Sequence, residues 1–174
     1  MREAALMFGI SRAAGDFFDQ VIRQRERQVM RTAYRMLGNW ADAEDVAQET
    51  FLRLHRHGLD FPDDAALGAW LYRVTVNLCL DRSRAARPGC ELPELRSDEM
   101  AADAALLREE QKSRLMAALA QLPAKERAAV TLREIEGLST VEVAEVLGSS
   151  EGTVRSQVSK AMTRLKQLMS GEKR

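Results

Sequence analysis

The sequence predicts an all-α fold of two small helical domains joined by a flexible acidic linker. Three observations carry that reading. Apolar residues recur at spacings of three and four nearly everywhere, and Val, Ile and Thr never alternate with polar residues over a strand-length run. Helix punctuation is explicit, with Ser139 and Glu142 spaced as a capping box and Gly148 placed to end the helix that follows. The run Arg87-Pro88-Gly89-Cys90-Glu91-Leu92-Pro93 then interrupts the helical pattern with two prolines and a glycine. These signals divide the chain into blocks at 1–87 and 106–174 around a linker at 88–105.

Composition narrows the class. The 174 residues are 45% hydrophobic and 30% charged, with ten glycines and four prolines, which excludes a disordered or fibrous chain. No apolar run approaches the roughly 18 residues of a membrane helix, and Met1–Ile10 makes a poor secretory signal. Cys79 and Cys90 are too few for a disulfide framework or a four-cysteine zinc site. His55 and His57 lie two apart, which on a helix points them in different directions. There is no glycine-rich phosphate loop and no serine in a nucleophile motif. The expectation is a cytoplasmic, reduced protein with no metal, no cofactor and no enzymatic activity of its own.

Twenty-six basic residues balance 26 acidic ones, but unevenly. The linker holds only Arg96 against Glu91, Glu94, Asp98, Glu99 and Asp103. Residues 154–174 carry Arg155, Lys160, Arg164, Lys166, Lys173 and Arg174 against Glu172. Such a basic end either attracts phosphates or merely complements a helix macrodipole.

In the N-terminal block, Asn39 can cap a helix whose inward stripe is Ala43, Val46, Ala47, Thr50 and Leu54. Asp45, Gln48, Glu49 and Leu52 form a second stripe at i, i+3, i+4 and i+7. An acidic face with an apolar anchor suits a protein surface bearing basic residues and repels duplex DNA. The next helix begins after a loop ending near Asp63 or Asp64. It directs Leu67, Trp70, Leu71, Val74, Leu78 and Asp81 one way, and Arg73, Asn77, Leu80, Arg84 and Arg87 another. Asn is a weak helix former, so Asn77 marks a hydrogen bond, either to the i−4 carbonyl or a buried polar group, or to a functional partner.

In the C-terminal block, Pro123 starts a helix that Gly137 stops. A short helix from Ser139 to Gly148 is followed by a second, capped by Ser149 or Ser150, with Val154, Val158, Ala161, Leu165 and Leu168 on one stripe. This is the helix-turn-helix arrangement, whose second helix enters the DNA major groove. Its other side chains, Glu151, Thr153, Arg155, Ser156, Ser159 and Lys160, are hydrogen-bonders or cations suited to bases and phosphates, as is Arg164 beyond them.

Two stretches carry a resemblance. Leu122-Pro123-Ala124-Lys125-Glu126-Arg127, Leu132-Arg133-Glu134-Ile135-Glu136-Gly137-Leu138-Ser139 and Gly152-Thr153-Val154-Arg155-Ser156 resemble region four of bacterial extracytoplasmic-function sigma factors, which binds the −35 promoter element. That family has more arginines along the second helix, where Gln157 and Met162 stand here. Asp42-Ala43-Glu44-Asp45-Val46-Ala47-Gln48-Glu49-Thr50-Phe51 resembles region two, which contacts the β′ clamp helices of RNA polymerase. The resemblance spans about 15–87 and 110–170 and implies a promoter-specificity subunit.

It places polymerase contacts on Asp45, Gln48, Glu49, Leu52, Phe51 and Arg53, with Phe51 reading equally as core. It places −10 contacts on Arg73, Asn77, Arg82, Arg84 and Arg87 and on the loop Asp60–Ala66, with Trp70 either a core anchor or a stacking platform for a base. It places −35 contacts on the residues of the second helix named above. It further implies a monomer when free, docking on the β flap, and control by a separate anti-sigma protein, often membrane-bound. A stand-alone repressor using the helix-turn-helix, and an adaptor binding only proteins, are the competing readings.

Overall fold

The structure is a computed structural model that describes residues 2–85 and 104–170. Among them every regular element is helical: α1 (Arg2–Leu37), α2 (Trp40–His57), α3 (Asp64–Ala85), α4 (Ala104–Ala120), α5 (Ala124–Val130), α6 (Thr140–Leu147) and α7 (Glu151–Ser170). Between α5 and α6 the chain makes one π-helical turn, Thr131–Ile135.

The boundaries follow from local chemistry. The Asn39 carboxamide oxygen accepts from the Asp42 N–H at 2.8 Å and starts α2. Asp63 Oδ1 accepts from the Ala66 N–H at 2.7 Å and starts α3. The capping box at Ser139 and Glu142 is formed in both directions, at 3.2 and 2.7 Å. Gly148, at φ 58° and ψ 43°, ends α6 in the left-handed conformation that side chains resist. Ser150, the second of the two candidates, caps α7 through the Thr153 N–H at 3.2 Å.

The N-terminal helices enclose one core cluster of their own, with Val21, Val29, Leu54, Leu67 and Leu71 at its centre. All five residues expected on the inner stripe of α2 are buried. The stripe of α3 is displaced from expectation: Leu67, Gly68, Leu71, Thr75, Val76 and Cys79 are buried, while Asp81 is exposed and paired with Arg84 at 3.0 Å. Thr50 and Thr75 are buried because each hydroxyl donates to the carbonyl four residues earlier, so neither leaves a polar group unmet. On α7, Val154, Ala161 and Leu165 are buried, but Leu168 is exposed.

The second cluster is shared between the two blocks. Ala33, Met36, Val46, Val76 and Cys79 of α1–α3 are continuous with Leu119, Leu122, Val130, Leu132, Val143 and Val154. The blocks therefore pack directly on one another, α3 against α6 and α1 against α4. The π turn has a part in this. The Glu136 N–H reaches the Thr131 carbonyl at 2.9 Å, an i to i−5 bond that turns Glu136 toward the N-terminal block. There its carboxylate meets Arg35, Thr32 and Tyr72.

Candidate functional site

Three surfaces hold the residues singled out by sequence. On α2, Asp45 and Gln48 are exposed, and Leu52 keeps 52% of its surface open beside them. Glu49 accepts from Arg53 Nε at 2.8 Å. That hydrogen bond, the largest influence, together with the positive charge of Arg53, holds the Glu49 carboxyl below the usual range, so it is a carboxylate at neutral pH. The result is an acidic face around a protruding leucine. Phe51 is half-buried against the N-terminal core, so the core reading suits it.

The second surface is the outer side of α3 with the loop before it. Arg73, Asn77 and Arg84 are exposed; Asn77 therefore fills no buried polar role. Arg84 pairs with Asp81. Arg82 turns to α2 instead, donating to the Asp42 carbonyl and to Asp45 Oδ2, both at 3.4 Å. Arg87 lies outside the described residues, as does Cys90. Trp70 is half-buried and belongs with the core; it packs with Phe61 and His57, ring centroids 5.9 and 5.0 Å away. His55 faces Phe18 instead, so the two histidines do diverge. Beside the loop lies a cavity of about 370 Å³, walled by Leu59, Phe61, Asp63 and Leu67 and, from α1, by Gln20 and Gln24. That size lies within the range of small-ligand pockets. The two glutamines were missed in the sequence, where an i, i+4 pair on a long polar helix has no distinguishing mark.

The third surface is the helix-turn-helix. Glu151, Thr153, Arg155, Ser156, Ser159, Lys160 and Arg164 are all exposed on α7. Arg155 pairs with Glu151 at 3.2 Å within the helix. Arg164 differs from the rest: it reaches back to Glu126 of α5 at 2.6 Å and braces the two helices. Behind the recognition helix an apolar groove of about 510 Å³ runs between α4, the π turn and α7, lined by Leu115, Val130, Ile135, Met162, Leu165 and Met169. Met162 and Met169 are large, exposed and flexible, as suits a docking groove. Among the described residues no helix is long and apolar enough to cross a membrane.

Comparison with known proteins follows the same division. The Sigma-70 region 2 profile matches residues 21–88, and the Sigma-70, region 4 profile matches residues 112–165. The chain is 38% identical over 158 residues to the ECF RNA polymerase sigma factor SigM of Mycobacterium tuberculosis, covering 90% of this chain and 80% of that one. Among solved structures, CnrH in complex with the cytosolic domain of CnrY aligns at TM-score 0.67 and 25% identity, covering 94% of this chain and 96% of the other. The sigma factor RpoE in complex with the anti-sigma factor NepR, from Bartonella quintana, shares the fold at TM-score 0.69 and 22% identity, covering 90% and 98%. An acidic helix face, a basic helix beside a pocketed loop and a helix-turn-helix, in that order along a chain matched by both profiles, identify a non-enzymatic transcription initiation factor: the protein belongs to the ECF family of RNA polymerase sigma factors.

Proposed function

We propose that residues 1–87 seat the chain on core RNA polymerase and open the −10 element, that 88–105 tether, and that 106–174 dock on the −35 duplex. The observation that carries this reading is the separation of charge between surfaces. The α2 face offers Asp45, Gln48, Glu49 and Leu52 to a basic protein surface, the β′ clamp helices, and is unfit for DNA. The exposed Arg73, Asn77 and Arg84 of α3 suit a single strand, with arginines on phosphates and the cavity beside Phe61 receiving an extruded base. Extrusion costs a few kcal/mol, which stacking and hydrogen bonds from Gln20, Gln24 or Asp63 would offset.

On α7, Thr153, Arg155, Ser156, Ser159 and Lys160 meet the major groove. The apolar groove around Met162 takes the β flap. An anti-sigma protein controls access to these surfaces, a reading supported by the two similar sigma structures, one with NepR and one with the cytosolic domain of CnrY. The chain works in the cytoplasm, where such a partner can hold it at the membrane.

Permanganate footprinting of the reconstituted holoenzyme on a promoter, paired with DNase I footprinting for the duplex, tests the division of labour. Reactive thymines should appear at −10, with protection at −35 that is lost when residues 106–174 are deleted. Protection at −35 that survives the deletion would contradict it.

A further inference from the structure

Three arginines of α1 have no part in the surfaces above. Arg23, Arg27 and Arg31 are exposed and stand at i, i+4 and i+8, one above another along about 12 Å of helix. None of the three forms an ion pair among the described residues. Arg25 and Arg35 of the same helix differ: both are half-buried, and they pair with Asp64 and Glu136. Asp19 and Glu26, the exposed acids of this stretch, stand within helical reach of Arg23 alone, and neither pairs with it. Arg27 and Arg31 have only each other and glutamines at that reach. Like charges at i, i+4 weaken a helix, so this row costs stability that a bound anion would return.

The row runs into the cavity beside the loop before α3. Gln20 and Gln24, which wall that cavity from α1, share one exposed face with Arg27 and Arg31, at i, i+4, i+7 and i+11. The two carboxylates at the cavity are occupied: Asp63 Oδ1 accepts from the Ala66 N–H at 2.7 Å, and Asp64 pairs with Arg25. A strand with one base in the cavity therefore continues onto a cationic ridge. Guanidinium forks match phosphate oxygens, and a row of them follows a backbone without reading its sequence. The other side of the cavity is served by α3, where Arg73, Asn77 and Arg84 lead from the loop toward the C-terminal block. The α1 row is left for the nucleotides on the side away from the −35 element.

We propose that Arg23, Arg27 and Arg31 form a second backbone track, which holds phosphates of the opened strand just downstream of the extruded base. The track adds no sequence preference. It resists re-annealing while the cavity keeps its base. The inference rests on the −10 reading above for the identity of the strand.

The test uses holoenzyme reconstituted from core polymerase and the full chain, on a promoter that it directs, opened beforehand by mismatches from −10 to the start site. A photoreactive p-benzoylphenylalanine replaces Arg27 in one variant and Asn77 in another. The Arg27 probe should crosslink the same strand as the Asn77 probe, at nucleotides farther downstream. In a third variant all three arginines become Gln, which keeps helix propensity. It should melt like the parent and bind the opened promoter at least about five-fold more weakly. Its log–log dependence on salt should be shallower by about 2, at roughly 0.7 per phosphate contact on a single strand. An Arg27 crosslink to a polymerase subunit or to both DNA strands overturns the track in favour of a protein or a duplex on this face. Unchanged affinity or an unchanged salt slope in the Gln variant overturns it as well. Crosslinking from Asn77 without any from Arg27 overturns the track alone. No crosslink from either probe overturns it together with the −10 reading.

Discussion

Arg82 of α3 lies 3.4 Å from Asp45 of α2, joining by one ion pair the acidic face proposed for polymerase to the basic helix proposed for the −10 strand. Both side chains are substantially exposed, at 37% and 64%, so the pair contributes at most about 1 kcal/mol to stability. Its consequence is positional: Arg82 is partly neutralised, and the net charge changes sign across a single helix–helix contact.

Asp45→Arg separates function from folding. The substitution puts a cation on the acidic face without touching the core, so the melting temperature should stay nearly constant. Binding to core polymerase should weaken at least about ten-fold, or 1.4 kcal/mol. A competition assay against labelled parent checks it; equal affinity would remove Asp45 from the interface.

On the −35 side, Arg155→Ala should cost about 1–3 kcal/mol if the guanidinium reads a base. The pair with Glu151 is exposed and contributes little to the helix. Affinities for a set of single-base −35 variants distinguish the cases. A loss confined to one position marks base readout, and a uniform loss across the set marks a phosphate contact.

The helix-turn-helix depends on two local devices. Ser139→Ala removes the acceptor for the Glu142 N–H and should destabilise the chain by about 1 kcal/mol in urea denaturation. Gly148→Ala should cost about 1–2 kcal/mol, because Gly148 is left-handed at φ +58° although a Cβ there would meet nothing within 4 Å. Gly148→Asn should recover part of the loss, since Asn tolerates that conformation. A Gly148→Ala variant as stable as the parent would place the strain elsewhere.

Burial pushes the Cys79 thiol up to about 12. In the unfolded chain the same thiol loses its proton near its ordinary 9.0, while the folded chain keeps it. Stability from this site is therefore complete below pH 9 and declines as pH rises from 9 toward 12. Iodoacetamide at pH 8 should leave Cys79 unmodified in the native protein and label it in denaturant, as peptide mapping would show. Rapid native labelling would mean that the closed core opens there.

Much of this was legible in sequence because it depends on short-range chemistry. Asn39, Ser139, Gly148 and the α2 stripe are set by neighbours within one or two turns, and all stand where their spacing puts them. The α3 stripe was misplaced because that helix is covered on two sides, by α1–α2 and by α6, and a helix buried on several faces blurs its own periodicity. Glu136 was visible only as one letter of a motif. Its partners lie 64 to 104 residues away, and nothing local announces that a π turn will carry it to Tyr72 and Thr32. The packing of the N-terminal helices on the C-terminal ones is a long-range result of Met36, Val76 and Leu132 sharing one core. Likewise the pull of Glu126 on Arg164 depends on how α5 meets α7.

Run-off transcription with core polymerase from the same bacterium tests the central claim most directly. Core alone should give no discrete product on a library of upstream fragments from that genome. Core with this chain should give transcripts from a subset sharing −10 and −35 sequences, and Asp45→Arg should abolish them. A chain that shifts a duplex tightly by itself yet never directs a start with core would contradict the account and establish a repressor instead.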